Sequence, residues 1–153
     1  MRNHYGRLVR MLHWCTDQSM TAELEKMELT AAQGHIMGYL AHHMGDAPCP
    51  RDIELEFKLS HPTVSGLLSR LEQKDFIELR TDTNDRRCKR IYILPKGQEC
   101  HDRMHKVICD NEERMVRDFT EEEKALFADF LDRAISNMGG SPCQKKHKEE
   151  ENQ

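Results

Sequence analysis

The chain has 153 residues, 33% of them charged and 37% hydrophobic, with a formal net charge of −4. That is the balance of a soluble globular protein with one core of domain size, and its acidity excludes a protein that coats nucleic acid by charge alone; any DNA affinity has to come from local geometry. No apolar run approaches the roughly 18–20 residues of a membrane span and the N-terminus lacks the apolar core of a signal peptide, which predicts a cytoplasmic protein without a membrane partner.

From about His4 to Met27, Leu8, Met11, Leu12 and Cys15, then Met20, Leu24 and Met27, fall at helical spacing, predicting one long helix or a helix followed by a looser turn. Thr30 to Gln33 is a capping-box pattern, and Ile36, Met37 and Leu40 supply the stripe of a second helix that ends at Gly45–Pro50. Arg51 to Lys58 reads as a short third helix leading through Leu59 and Ser60 into a fourth, the order of a helix-turn-helix. In that fourth helix Val64, Leu67, Leu68 and Leu71 lie at i, i+3, i+4 and i+7 and predict a buried face. The other face carries Pro62, Ser65, Gly66, Ser69, Arg70 and Gln73, with Thr63 at its flank. Small and hydrogen-bonding residues with a late cation suit a helix that enters a DNA major groove better than one that only faces water. Pro62 fits the first turn, where its missing N–H has no partner to lose, and Ser60 is the expected N-cap.

After Asp75 the pattern becomes two apolar strands, Phe76–Arg80 and Lys89–Leu94, around a polar turn whose tip reads Asn84-Asp85-Arg86-Arg87. Arginine is drawn to the negative potential of a narrow minor groove, so this hairpin reads as a wing. From Ser60 to Arg90 seven cations stand against five acids; the protein's acidity lies elsewhere. Pro95-Lys96-Gly97 opens a fifth helix to about Arg117, with Met104, Val107, Ile108 and Met115 inward. Thr120 to Glu123 is a second capping box, followed by a stripe from Leu126 to Met138 too wide for a lone surface helix, which predicts burial against a second subunit. Gly139 to Pro142 ends order, and residues 143–153 are a charged tail that cannot pack.

Pro62-Thr63-Val64-Ser65-x-Leu-Leu-x-Arg-Leu-Glu, followed by a short strand and Asp85-x-Arg87, resembles the MarR family of bacterial winged-helix transcription regulators. The resemblance implies a mainly α (α+β) fold: a winged helix-turn-helix over about residues 29–95, with dimerisation helices at about 4–27 and 96–138 completing a single domain, 1–138. It implies a homodimer on double-stranded DNA, most often a repressor of a pseudo-palindromic operator, controlled by a small-molecule or metal effector. The wing arginine of the family, here Arg87, enters the minor groove, and the aspartate, here Asp85, orients it. The DNA-contacting set is then Ser60, His61, Thr63, Ser65, Ser69 and Arg70 from the helix and Asp85, Arg86 and Arg87 from the wing. The family usually has Gly at the corner between helix and strand; this chain has Asp75, a residue that tolerates the left-handed conformation.

Nine histidines are unusual in a chain of this length. His101, His105 and Cys109 recur every four residues along one face, as do His13 and Asp17, and His35 opens the second helix. Imidazole, thiolate and carboxylate are ligand types of zinc; on charged helices they are equally ordinary surface residues. A zinc-responsive subset of the family places ligands on the first, second and fifth helices, and the resemblance lays Asp17, His35, His105 and Cys109 on those places, with His101/His105 as the other candidate pair. Gly34 stands where that subset has a carboxylate. Cys15 could alternatively serve as the redox thiol of the family's peroxide sensors, although a buried structural thiol fits its neighbours better. His42-His43 reads as helix capping, and Trp14 as dimer core. No triad, phosphate loop or metalloprotease motif is present, which predicts a protein that is not an enzyme. The rival class is a winged helix used only for protein contact.

Overall fold

The computed structural model describes residues 4–83, 85, 86 and 88–140. Arg87 and the charged tail beyond 140 lie outside the described residues. Among the described residues, six α-helices and one hairpin follow in the expected order: α1 (Tyr5–Lys26), α2 (Ala31–His42), α3 (Pro50–Phe57), α4 (His61–Gln73), β1 (Ile77–Thr81), β2 (Lys89–Ile93), α5 (Pro95–Met115) and α6 (Glu121–Asn137), with one 3-10 turn at Met44–Asp46. The first helix is continuous, without the looser turn. The chain divides into two compact units, one up to Asn111 and one from Glu112, the boundary falling inside α5.

In the first unit the core gathers where α2, α3, α4 and the hairpin meet. Met37, Ile53, Val64 and Leu71 are fully buried, and Phe76, Ile77 and Ile91 close the core from the hairpin side. Burying one such aliphatic side chain contributes about 1.5–3 kcal/mol, so the apolar stripe of α4 fixes which way that helix faces. Val64, Leu68 and Leu71 are buried as the spacing requires, while Leu67 is only half-buried.

Both capping boxes form: Thr30 Oγ1 accepts from Gln33 N and Thr120 Oγ1 from Glu123 N, with the reciprocal side-chain bonds also made. Ser60 does not behave as expected. Its hydroxyl makes no capping bond to a backbone N–H of α4; it lies instead 2.8 Å from Thr63 Oγ1, a hydroxyl pair satisfied locally. The third helix starts one residue earlier than the pattern suggested, because Pro50 at its first turn forgoes only an N–H that has no helical partner. α5 ends at Met115 rather than Arg117, and Ile108, expected inward, is exposed.

The turns on either side of α4 take left-handed backbone without glycine. Lys58 (φ 52°) joins α3 to α4, and Asp75 (φ 61°) turns α4 into β1, which is the tolerance expected of aspartate. The antiparallel hairpin pairs Ile77 with Ile93 through to Thr81 with Lys89. Its second strand is fastened to the segment after α2, where Ile91 N donates to Pro48 O at 2.9 Å and Arg90 Nη1 donates to Ala47 O at 3.3 Å. The start of α5 presses on the hairpin's base: a Cβ on Gly97 would collide with Phe76 O and lie 2.8 Å from Ile93 Cγ2.

In the second unit, α6 carries Phe127, whose ring packs edge-on against Phe119 at 5.6 Å between centroids. Leu126, Phe130, Ile135 and Met138 are exposed in the single chain.

Candidate nucleic-acid interface and effector groove

The turn between α3 and α4 is closed by Leu59 N donating to Glu54 O at 3.1 Å. With the aliphatic face of α4 committed to the core, His61, Thr63, Ser65, Ser69 and Arg70 are all exposed on its remaining surface, together with Ser60 at its start. The structure thus brings the six helix residues of the expected DNA-contacting set onto one solvent-facing helix and its cap. Gln73 Nε2 donates to Ser69 Oγ at 3.4 Å near the far end.

One contact on this face has no counterpart in the sequence reading. Glu54, whose side chain is only 7% exposed, accepts from Arg51 Nη1 at 2.8 Å and stands 2.6 Å from Nδ1 of His61. Those two hydrogen bonds, Arg51 first, hold its carboxyl below the usual carboxylate range. Between Ile53 and Leu55 it reads as an ordinary surface acid. Only the reversal at Lys58 carries it back to the first turn of α4.

On the wing, Arg80 pairs with Glu78 at 2.7 Å and lies over the Tyr92 ring at 4.7 Å. Arg90 donates from Nε to Asp82 Oδ2 at 2.7 Å, which raises the guanidinium's affinity for its proton further. Toward the tip, Asp82 N donates to Cys88 O and Cys88 N to Asp85 O, each at 2.9 Å, so the turn is braced by its own backbone. Asp85 and Arg86 are exposed there; the pairing of Asp85 with Arg87 falls outside the described residues.

A groove of about 750 Å³ opens within the first unit between α1, α2, α3 and α5. Leu24, Phe57, Met104 and Ile108 give it apolar walls, Tyr39 an aromatic one, and Asp17 and Glu56 place carboxylates on it. The Tyr39 ring stacks on His43 at 4.2 Å and meets Phe57 edge-on at 5.8 Å. His42 and His43 turn Nδ1 onto the carbonyls of Gly38 and Tyr39 at 2.7 and 2.8 Å, the capping role expected at the end of α2. None of the aromatic lining was singled out in the sequence, because Tyr39 and Phe57 sit on stripes that read equally well as core.

The four residues laid out as zinc ligands are not gathered. His105 Nδ1 and Cys109 Sγ are 3.6 Å apart, one turn apart on α5, while Asp17 and His35 line the groove. Among the described residues no group of three or more His, Cys, Asp or Glu side chains is arranged to hold a metal ion, so these donors as placed do not fit a four-ligand zinc site. His101 lies 6.2 Å from the His105 ring and 6.1 Å from that of His42, centroid to centroid. At Gly34 a Cβ would lie 2.8 Å from Leu24 Cδ2, so a carboxylate there would require the Leu24 side chain to shift. Cys15 is exposed rather than a buried structural thiol. Among the described residues the buried thiol is Cys100, whose pKa burial pushes up to about 11.

Comparison with known proteins agrees with this geometry. The profile of the MarR family matches residues 27–87, from the end of α1 to the wing tip. The S. aureus MepR–DNA complex is 30% identical, covering 88% of this chain and 99% of that one, with a TM-score of 0.75. S. aureus MepR bound to ethidium bromide is also 30% identical, covering 89% and 97%, with a TM-score of 0.71. A Clostridium acetobutylicum protein described as a MarR family transcriptional regulator is 25% identical over 88% of this chain and 98% of its own, again at 0.71. With the helix-turn-helix, the wing and nearly full-length coverage in agreement, the chain belongs to the MarR family of winged-helix transcriptional regulators, which are not enzymes.

Proposed function

We propose that the protein is a homodimeric repressor that binds a pseudo-palindromic operator and is controlled by an organic effector taken into the groove between α1, α2, α3 and α5. The observation that carries the DNA reading is the outer face of α4, where hydrogen-bonding side chains and Arg70 stand exposed beside a hairpin rich in arginine. In this reading His61, Thr63 and Ser65 lie nearest the bases, Arg70 meets a phosphate or guanine, and Arg87 enters the flanking minor groove. The exposed apolar residues of α1, among them Leu8, Val9 and Trp14, and those of α6 supply the surface a second copy would cover. An effector that alters the spacing of two recognition helices alters affinity, because half-sites sit on a fixed helical repeat.

The experiment is fluorescence anisotropy on the DNA upstream of the protein's own gene, at two salt concentrations. Binding is expected to weaken steeply with salt, and Arg70→Ala or Arg87→Ala to cost about 1–3 kcal/mol each. Binding unchanged by both substitutions sinks the assignment of the DNA face; absence of binding favours a protein-interaction module. Chelator and micromolar zinc are expected to make no difference. Zinc-strengthened binding that disappears in His105→Ala would replace the organic effector with a metal.

A further inference from the structure

His61 is the first residue of α4, and its imidazole is 75% exposed while the carboxylate that holds it is 7% exposed. A carboxylate oxygen can only accept, so the nitrogen 2.6 Å from Glu54, Nδ1, must carry a hydrogen. That leaves Nε2 as the ring's means of contact with anything outside. In the neutral ring Nε2 is an acceptor and is repelled by phosphate oxygens and by the O6/N7 edge of guanine, which are acceptors too. With a second proton it becomes a charged donor to either of them.

Resting on the reading of α4 as the recognition helix, we propose that His61 is a proton-gated DNA contact. Glu54 holds the ring by Nδ1, and Nε2–H of the imidazolium docks on a negatively polarised acceptor of the DNA at the start of the helix. The proton comes from solvent on binding and returns to it on release. The charged groups that meet the ring's site from α3 are Glu54 and, on its other carboxylate oxygen, Arg51. From its own helix comes the positive end of the α4 dipole, and no acidic residue stands in the first turn. DNA adds its negative potential to the side of Glu54, so binding and protonation reinforce one another. Glu54 is a positioning residue in this scheme. Arg51 keeps it ionised by holding its pKa low, which means that the carboxylate stays charged across the range in which an imidazole titrates.

The test is operator affinity measured from about pH 5.5 to about pH 8 at fixed salt, for the wild type, His61→Gln and Glu54→Gln. Wild-type affinity is expected to fall by roughly tenfold or more across that range, and His61→Gln, at an exposed position, to flatten the profile. The difference between the two curves isolates His61 from the other histidines. Glu54→Gln can still accept from Nδ1 but lacks the charge, so it should move the profile to lower pH. A carboxylate that merely braced α3 against α4 would instead weaken binding equally at every pH, with a lowered Tm. Methylphosphonate at the facing phosphates, or 7-deazaguanine in the half-site, should remove the pH dependence in one case and identify the acceptor. Superimposable wild-type and His61→Gln profiles overturn the proposal while leaving DNA binding intact. Absence of binding at every pH overturns the recognition-helix reading itself.

Discussion

Gly97 shows how much a single hydrogen in place of a methyl group can decide. The first turn of α5 passes so close to the backbone of Phe76 that a Cβ has no room, with Ile93 Cγ2 at 2.8 Å and Met37 Cε at 3.0 Å on its other sides. The same Phe76 carbonyl accepts from Leu94 N at 3.0 Å, so it cannot retreat without breaking that bond. Gly97→Ala should therefore destabilise the fold by about 1–3 kcal/mol, read as a lowered urea midpoint with an unchanged slope; an unchanged midpoint would mean that the α5–hairpin junction has slack. In sequence Gly97 is simply a glycine beside a proline and a lysine, because close approach between segments about twenty residues apart leaves no local signature. Asp75 was legible, since its left-handed backbone follows from its place at the end of a helical period. Glu54 was not, since its meaning depends on a partner seven residues on and across a reversal.

At the scale of elements, local pattern was enough to place α4 by helical spacing, the hairpin by its two apolar strands around a polar turn and both capping boxes by their end residues, because those features depend on residues close together in the chain. The groove was not legible, because four separate helices contribute to it and each contributes residues that also suit a core. Its combination of Tyr39 and Phe57 with the carboxylates of Asp17 and Glu56 suits a planar organic cation, by ring stacking and by charge. On the proposed reading, the fluorescence of a planar cationic dye should change on titration with this protein, and Tyr39→Ala should weaken binding by about 1 kcal/mol, roughly fivefold. An unaltered titration would place the dye elsewhere. In the same sample, the dye should release labelled operator DNA if the groove is the proposed effector site.

For the whole molecule, the question is what covers the apolar surface that one chain leaves open. Leu8, Val9 and Trp14 are each 60% exposed, and Leu126 and Phe130 more than half, more large apolar side chains than a monomer ordinarily presents to water. A dimer in sedimentation at micromolar concentration is the expected outcome. The paired substitution Leu126→Glu with Phe130→Glu should yield monomers whose operator affinity is about a hundredfold lower or worse, because the second half-site no longer binds from the same molecule. Double-substituted protein that still sediments as a dimer would remove α6 from the interface.

Besides the Arg90 side chain on Ala47 O, the joint between the hairpin and the segment after α2 has a backbone bond from Ile91 N to Pro48 O, two groups that every non-proline and every residue, respectively, possesses. Drift in side-chain identity at either position can leave the joint untouched, so it is invisible to any inspection of residue types. Wing and helix-turn-helix are thereby held together through the backbone, and in the proposed dimer regulation would act on the distance between two such units.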